Sequence, residues 1–267
     1  MPTISFVILA WNSSRYLDAC FNSIIAKCDS ESLAFEIIVV DNGSTDNSRE
    51  ILERFSRSYP DKFRLIHLDL NKGTTLPRNL ALKQAQGKYI CIFDSDAEIL
   101  NGDMSEVLDT LKERHDVGII APMLLLDDGT VQNSVKKFPT FCHKLLKIPK
   151  IILGIKVANA DFYADFPFLQ ERPVDTAISA CWFFRRDLVD IVGYLDEKIY
   201  YSPEDLDYCI RARKCGKTIT YFPKFVVRHH TQQITHRKPF SKTSLSHFGG
   251  LIYYFKKHGG WFFSSVS

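Results

Sequence analysis

A chain of 267 residues with 45% hydrophobic and 13% aromatic side chains can bury a sizeable core, which excludes a disordered polypeptide and fits one large domain or two small ones. Its 34 basic and 31 acidic residues leave a formal charge of +3, too balanced for a nucleic-acid binder, so any basic surface is local. Seven cysteines without a CxxC pair, mostly among apolar neighbours, read as reduced thiols that pack as small hydrophobes, hence an intracellular protein.

The opening MPTISFVILAWN meets polar residues by Asn12, too short an apolar run for a signal peptide or a membrane span, so the expected location is the cytoplasm. The runs ISFVILA (4–10), EIIVVD (36–41), FRLIHLD (63–69), YICIFD (89–94) and VGIIAP (117–122) are short, β-branched and nearly continuous in apolar character, as strands covered on both faces are. Between the first two, Asn12 is read as an N-cap, and Tyr16, Leu17, Cys20, Phe21, Ile24 and Ile25 recur at helical spacing. A second helix follows Ser44 or Asp46 with Ile51, Leu52 and Phe55 inward. A third runs from about Thr75 to Gln86 and stops at Gly87, and a fourth spans roughly Met104 to Arg114. Strand alternating with helix predicts right-handed crossovers and a mostly parallel, Rossmann-like α/β sheet flanked by helices. Any ligand crevice then lies beyond the carboxyl ends of the strands, which brings LAWN, VVDNGS and FDSD to one edge.

The second half is less regular. LLLDDGTVQ reads as a hairpin turning at Asp128-Gly129. Residues 138–173 mix aromatics, prolines and lysines without a clean period, the pattern of a flap or an inserted acceptor-binding segment. In AISACWFF, which follows, Trp182, Phe183 and Phe184 are read as core. A helix opens at Pro203 in SPEDLDYCIRARKCG, with Leu206, Cys209, Ile210 and Arg213 at consistent spacing and Gly216 at its end, and the strands TITYF and FVVRHH come after it.

Three carboxylates directly after the strand YICIFD repel one another unless something positive sits among them. Asp94 and Asp96 flank Ser95, so in an extended backbone both side chains point to one side and can share a divalent cation. Magnesium or manganese held there leaves coordination positions for the oxygens of a diphosphate.

In order and spacing, the segments SFVILAWNSSRYLDACFNSI, EIIVVDNGSTDNS, NKGTTLPRNLALKQAQGKYICIFDSD and ISACWFFRRDLVDIVGYLDEKIYYSPEDLDYCIRARKCG strongly resemble family 2 inverting glycosyltransferases of the GT-A fold, over about residues 3 to 230. The second half is most similar to the rhamnosyltransferase-like branch that builds bacterial cell-surface polysaccharide. The resemblance implies one GT-A domain with a nucleotide-sugar-binding half, residues 1–122, and a mixed acceptor-binding and catalytic half, residues 123–240. An aromatic and basic helical tail, residues 241–267, follows.

The same resemblance implies roles. Ala10, Trp11, Asn12 and Asp41 hold the base and ribose of a nucleoside diphosphate sugar, and Gly73, Arg78, Asp94 and Ser95 complete the donor site. Asp96, with Asp94 and His229, holds manganese or magnesium. Asp205 and Glu204 are the catalytic pair, with Asp205 the base that removes a proton from the acceptor hydroxyl. The donor is dTDP-rhamnose or a UDP-sugar, and the acceptor a glycan carried on a lipid diphosphate. Two departures stand out: Ala10-Trp11 where many relatives have proline and threonine, and HTQQITHRK after His229 where they often continue with glycine and serine.

Other classes fit less well. A nucleotidyltransferase also sets a metal on aspartates, but ILAWNSSRYL lacks the glycine-rich phosphate loop such enzymes open with, and a silent nucleotide-sugar or glycan-binding module need not keep Asp96, Glu204 and Asp205. No GxGxxG or GxxxxGK[ST] is present for a Rossmann dehydrogenase or a P-loop enzyme. The tail HFGGLIYYFKKHGGWFF interleaves aromatic and basic residues, which suits peripheral attachment to the cytoplasmic face of the inner membrane, packing on the body, or a homodimer contact.

Overall fold

The computed structural model describes residues 1–141, 161–163, 165–231 and 242–261. Strands β1 (Ile4–Ala10), β2 (Phe35–Asn42), β3 (Phe63–Leu68) and β4 (Tyr89–Asp94) run parallel, joined by helices α1 (Leu17–Ser30), α2 (Ser48–Ser58) and α3 (Thr75–Gln84). After β4 come β5 (Ala97–Asn101), α4 (Met104–Glu113), β6 (Val117–Leu125), β7 (Val135–Lys136), β8 (Arg172–Val174), β9 (Thr176–Ala177) and β10 (Cys181–Arg185). The last elements are α5 (Asp187–Val192), α6 (Glu204–Lys214), β11 (Thr218–His229) and α7 (Lys242–His258). One sheet has the order β3-β2-β1-β4-β10-β6-β11-β5, with β8 also on β11, while β7 and β9 pair separately.

Strands β3, β2, β1, β4, β6 and β11 point one way, and β10, β5 and β8 run against them. The parallel part is covered on both faces, and the two cores divide β1 by alternation: Ile4, Phe6 and Ile8 enter one, Val7 the other. Strand β10 repeats this, with Phe183 in the first core and Trp182 and Phe184 in the second, all fully buried.

Several sequence expectations need correction. Asn12 does not cap α1: the helix begins at Leu17 after Tyr16, and Asn12 sits at φ 50 with its Oδ1 accepting from the Thr45 N–H at 2.8 Å. Its amide ties the end of β1 to the loop after β2. Helix α3 stops at Gln84, two residues early, because Glu36 Oε1 accepts from the Gln86 N–H at 2.7 Å and Ser5 Oγ from the Gly87 N–H at 2.8 Å. A Cβ on Gly87 would lie 2.7 Å from the Ser5 nitrogen, so only glycine lets the chain turn into β4 there. TITYF and FVVRHH are one strand, β11, bulged between Phe222 and Val226. The strand β5 was unforeseen.

The DDGT turn is present, with Leu126 donating its N–H to the Thr130 carbonyl at 2.9 Å. Cys20, Cys28, Cys91, Cys181, Cys209 and Cys215 are free thiols, and all but Cys215 are buried. The expected flap or acceptor segment falls largely at 142–160, which with Cys142, Phe262 and Phe263 lies outside the described residues. The described tail packs on the body: Tyr254 and Phe255 of α7 are buried, and the Phe255 ring meets Phe141 edge-on with centroids 5.5 Å apart.

Because Phe183 stands opposite Cys91 of β4 and Ile120 of β6, it fills the seam where the two parallel blocks are joined through β10. Phe183→Ala is expected to lower the unfolding free energy by about 3–5 kcal/mol in a urea titration; an unmoved midpoint would show that the seam does not depend on this ring.

Candidate active site

The site forms where β4, β5 and β11 meet. Strand β5 starts only two residues after β4 and pairs antiparallel with β11, with Ala97 opposite His229, and the His230 N–H donates to the Asp96 carbonyl at 2.9 Å. This register carries His229 to the DSD turn. Its Nε2 lies 3.6 Å from Asp96 Oδ1 and 3.8 Å from Asp94 Oδ2, and one ligand atom from each of the three residues falls within 4.8 Å of the others. Ligands each about 2.1 Å from one small cation stand about 3–4 Å apart, and two carboxylates with one imidazole are a donor set suited to manganese or magnesium. The residues present therefore fit such an ion.

The second ring nitrogen of His229 is also engaged. Its Nδ1 lies 2.9 Å from Gln132 Oε1, so the Nδ1–H donates to the amide oxygen and the Nε2 side faces the aspartates. Gln132 follows the DDGT turn and is anchored by its own N–H, which donates to the Leu124 carbonyl at 2.8 Å. Burial opposes ionisation of His229, but the Asp96 and Asp94 carboxylates outweigh it and hold the imidazole pKa above its ordinary value.

A buried guanidinium joins this cluster to α6. Arg78, from α3, donates through Nη2 to Asp94 Oδ1 at 2.6 Å and through Nη1 to Glu204 Oε1 at 3.1 Å and Ser179 Oγ at 2.8 Å. The Ser179 hydroxyl lies 3.1 Å from the same Glu204 oxygen. Burial, and then the charge of neighbouring Asp205, push the Glu204 carboxyl up to about 7, although Arg78 pulls the other way. For Asp94, burial raises the pKa, Arg78 lowers it and Asp96 raises it again; the net direction is upward. Asp94, Asp96, Glu204 and Asp205 together exceed the positive charge that Arg78 and His229 supply. The deficit is what a bound cation relieves.

Of the residues expected at the donor, Ala10 pairs with Asp41 across β1 and β2, and Ala10 is buried, so only its main chain is available. Trp11 is 37% exposed beside it. Asp41 is fully buried and already accepts three contacts: Oδ1 from the Ser44 N–H at 3.0 Å, and Oδ2 from Arg49 Nε at 3.3 Å and His67 Nδ1 at 3.1 Å. Arg49 then lines an open cavity of about 470 Å³ with Ser44, Thr45 and Asp46. Ser95 and Ser13 stand 2.8 Å apart through their hydroxyls, locking the end of β1 to the DSD turn. The close approach at Gly73 is made by the main chain of Tyr200, whose carbonyl would lie 2.0 Å from a Cβ there. Asp205 is half-buried, accepts from the Leu206 N–H at 2.8 Å, and faces a separate small cavity beside α7.

Nothing in the sequence singles out Gln132 or Ser179, which reach the site from loops, Arg49 on the first turn of α2, or His67 on the edge strand β3. Only the turn before Gln132 was visible.

Two outcomes follow from this geometry. Gln132→Ala is expected to weaken manganese binding by roughly 10–100-fold, read by electron paramagnetic resonance of free manganese, and to loosen the His229 tautomer in ring-nitrogen NMR of the metal-free protein; unchanged values for both would remove Gln132 from the site. The folded protein holds the Glu204 proton up to about 7 whereas an exposed glutamate releases it near 4.5, so stability is expected to fall as pH rises between those values and then level off. Glu204→Gln should flatten that slope in thermal melts, and an identical slope would show that other groups set it.

The family model described as Glycosyl transferase family 2 matches residues 5–193. The chain is 26% identical over 246 residues to the N-acetylglucosaminyl-diphospho-decaprenol L-rhamnosyltransferase of Mycobacterium tuberculosis, covering 84% of this chain and 76% of that protein. It is 30% identical over 138 residues to the poly(ribitol-phosphate) beta-N-acetylglucosaminyltransferase TarS of Staphylococcus aureus, covering 51% of this chain and 24% of TarS. Among solved structures, GalNAc-T7 with UDP, GalNAc and Mn2+ matches with a TM-score of 0.71 at 13% identity, over 96% of this chain and 48% of that one. A TarS fragment in complex with UDP-GlcNAc matches at 0.57 and 22% identity, over 90% of this chain and 61% of that one. These neighbours have the GT-A fold, as this sheet does. With the family model spanning most of its length and the carboxylates gathered at the strand ends of that fold, the chain belongs to glycosyl transferase family 2.

Proposed function

We propose that this protein transfers a sugar from a nucleoside diphosphate carrier, dTDP-rhamnose or a UDP-sugar, to a glycan acceptor with inversion, in the synthesis of cell-surface polysaccharide. The observation that carries the reading is the meeting of Asp94, Asp96 and His229 at the carboxyl ends of β4 and β11, linked through buried Arg78 to the Glu204-Asp205 start of α6. The names of the relatives support the rest: a rhamnosyltransferase named for a diphospho-decaprenol acceptor, a polymer N-acetylglucosaminyltransferase, and structures with UDP, UDP-GlcNAc and Mn2+.

In this reading the nucleoside lies against Ala10, Trp11, Asn12 and Asp41, and the diphosphate reaches toward Arg78, Asp94 and Ser95, with Gly73 shaping the loop beneath. Residues Asp94, Asp96 and His229 hold manganese or magnesium, which when bound neutralises the departing diphosphate. Asp205 takes the acceptor hydroxyl proton as that oxygen forms its bond to the anomeric carbon and the bond from carbon to the diphosphate oxygen breaks on the opposite face. Glu204, whose Oε1 is occupied by Arg78 and Ser179, orients the helix start rather than moving a proton. Residues 1–122 carry the donor and 123–240 the acceptor. A lipid-diphosphate acceptor places the protein at the cytoplasmic face of the membrane as a peripheral enzyme. The exposed Phe248 of α7 supports this, and no helix among the described residues is long and apolar enough to cross a bilayer.

Thermal shifts with a panel of nucleoside diphosphates, with and without manganese, test donor and metal together. Asp96→Asn is expected to erase the manganese-dependent part of the nucleotide shift, and a full shift in that variant would remove Asp96 from the metal. Asp205→Asn is expected to keep the nucleotide shift yet lose transfer by about 10²–10⁴-fold. Transfer near the wild-type rate would place the base elsewhere.

A further inference from the structure

Asp205 is the second residue of α6, and the chain reaches it through a strap, residues 199–203, that two neighbours hold. The first is the loop and helix start that carry Gly73 and Arg78. There the Thr75 hydroxyl donates to the Ile199 carbonyl at 2.7 Å, the Thr74 N–H to the Tyr200 carbonyl at 2.6 Å, and the Tyr200 hydroxyl to the Asn71 carbonyl at 2.9 Å. The second neighbour is α7. Its Gly250 is buried, and a Cβ on it would lie 2.2 Å from the Ser202 carbonyl oxygen and 3.1 Å from Pro203 Cδ.

Glycine is among the poorest helix formers, so one in the middle of the 17-residue α7 calls for a cause outside the helix. Its neighbour Gly249 is exposed, and a Cβ there would meet nothing within 4 Å. Only Gly250 faces the strap. The far end of α7 is anchored as well: Lys257 Nζ lies 2.6 Å from Asp196 Oδ2 and 2.7 Å from Asp207 Oδ1, and His258 Nε2 lies 2.7 Å from the same Asp207 oxygen. The Tyr253 hydroxyl donates to Asp196 Oδ2 at 2.9 Å. Burial opposes the Asp207 charge, yet His258, Arg211 and Lys257 outweigh it and hold the carboxyl at about 2. Helix α7 is therefore fixed to the loop before the strap, to the strap itself, and to the first turn of α6. Asp205 lies between the last two of these points.

We infer that Gly250 is a positioning residue for Asp205: by letting α7 close on the Ser202 carbonyl while Asp207 anchors its far end, it fixes where α6 begins and so where the Asp205 carboxylate sits. The inference rests on Asp205 as the base. Seating a methyl group at Gly250 requires the strap or the helix to move by roughly 1 Å, a displacement that can cost a reaction about 10²-fold.

Gly250→Ala and Gly249→Ala on the full chain test it, since both gain the same helix propensity and only one gains a clash. In amide hydrogen exchange read by mass spectrometry, Gly250→Ala is expected to speed exchange over residues 199–207 by roughly tenfold, the scale of one overpacked contact, and Gly249→Ala to leave it unchanged. Lys257→Met, which loosens the far anchor and adds nothing at the contact, should move the same peptides in the same direction even if Gly250→Ala folds poorly. Transfer is then followed as UDP or dTDP released from UDP-GlcNAc or dTDP-rhamnose, with manganese and a polyprenyl-diphosphate-linked N-acetylglucosamine. Gly250→Ala should lower kcat by about 10²-fold with the donor KM and the nucleotide thermal shift unchanged, and should lower it no further in an Asp205→Asn background. Exchange over 199–207 alike in the Gly249 and Gly250 variants would overturn the inference. So would a loss of rate that multiplies equally in both backgrounds, which is what a smaller folded fraction gives. Wild-type transfer by Asp205→Asn, with the exchange difference present, would instead sink the base reading and leave the hold of α7 on α6 standing.

Discussion

Arg78 is 3% exposed and lies between two carboxylates from distant parts of the chain, Asp94 at the end of β4 and Glu204 at the start of α6. A charge so deep in the protein is tolerated only when its partners are fixed, since removing one partner of a buried pair costs about 3–5 kcal/mol. Only a planar fork can serve both carboxylates and the Ser179 hydroxyl at once, so lysine is no substitute. This constraint links the strand-end carboxylates to the helix that carries Asp205. Wherever the sheet places Asp94, the start of α6 must follow.

Topology then decides what else can arrive. Inserting β10 antiparallel between β4 and β6 brings Ser179 to Arg78 just before that strand begins, and the Asp94 N–H donates to the Ala180 carbonyl at 2.9 Å. Doubling the chain back through β5 gives β11 an antiparallel partner whose register sets His229 opposite Ala97. Both strands interrupt a parallel sheet at its functional edge. Without them Asp94 and Asp96 would lie at the end of a strand with no histidine within reach.

Much of this was legible because the parallel half obeys simple periodicities. Apolar runs such as EIIVVD appear within one residue of their expected bounds, since strands buried on both faces leave little freedom. The DSD pair and the helix after Pro203 were visible from local pattern and family resemblance. What stayed hidden depends on long-range pairing. AEILN alternates only through Ala97 and Ile99, too short a signal for a strand until β11 is seen beside it. Asn12 has the chemistry of a cap, yet its amide bonds Thr45 across the strand ends. Local propensity proposes a partner for such a residue, and the tertiary fold supplies another.

The choice of Gln132 beside His229 follows from the same charge balance that makes Arg78 necessary. A carboxylate in that position would also fix the ring, but it would add one more negative charge to Asp94 and Asp96 and favour the imidazolium, whose protonated Nε2 cannot act as a ligand. A neutral amide oxygen accepts the Nδ1–H without that penalty, and leaves the Nε2 proton as the one a cation displaces. One residue later the opposite arrangement appears: His230 faces Asp127 and Glu98 and stacks on Tyr16, with a carboxylate near each ring nitrogen. Of two adjacent histidines, His229 at the end of β11 and His230 just past it, only the one with the amide is equipped to give its second nitrogen to a metal.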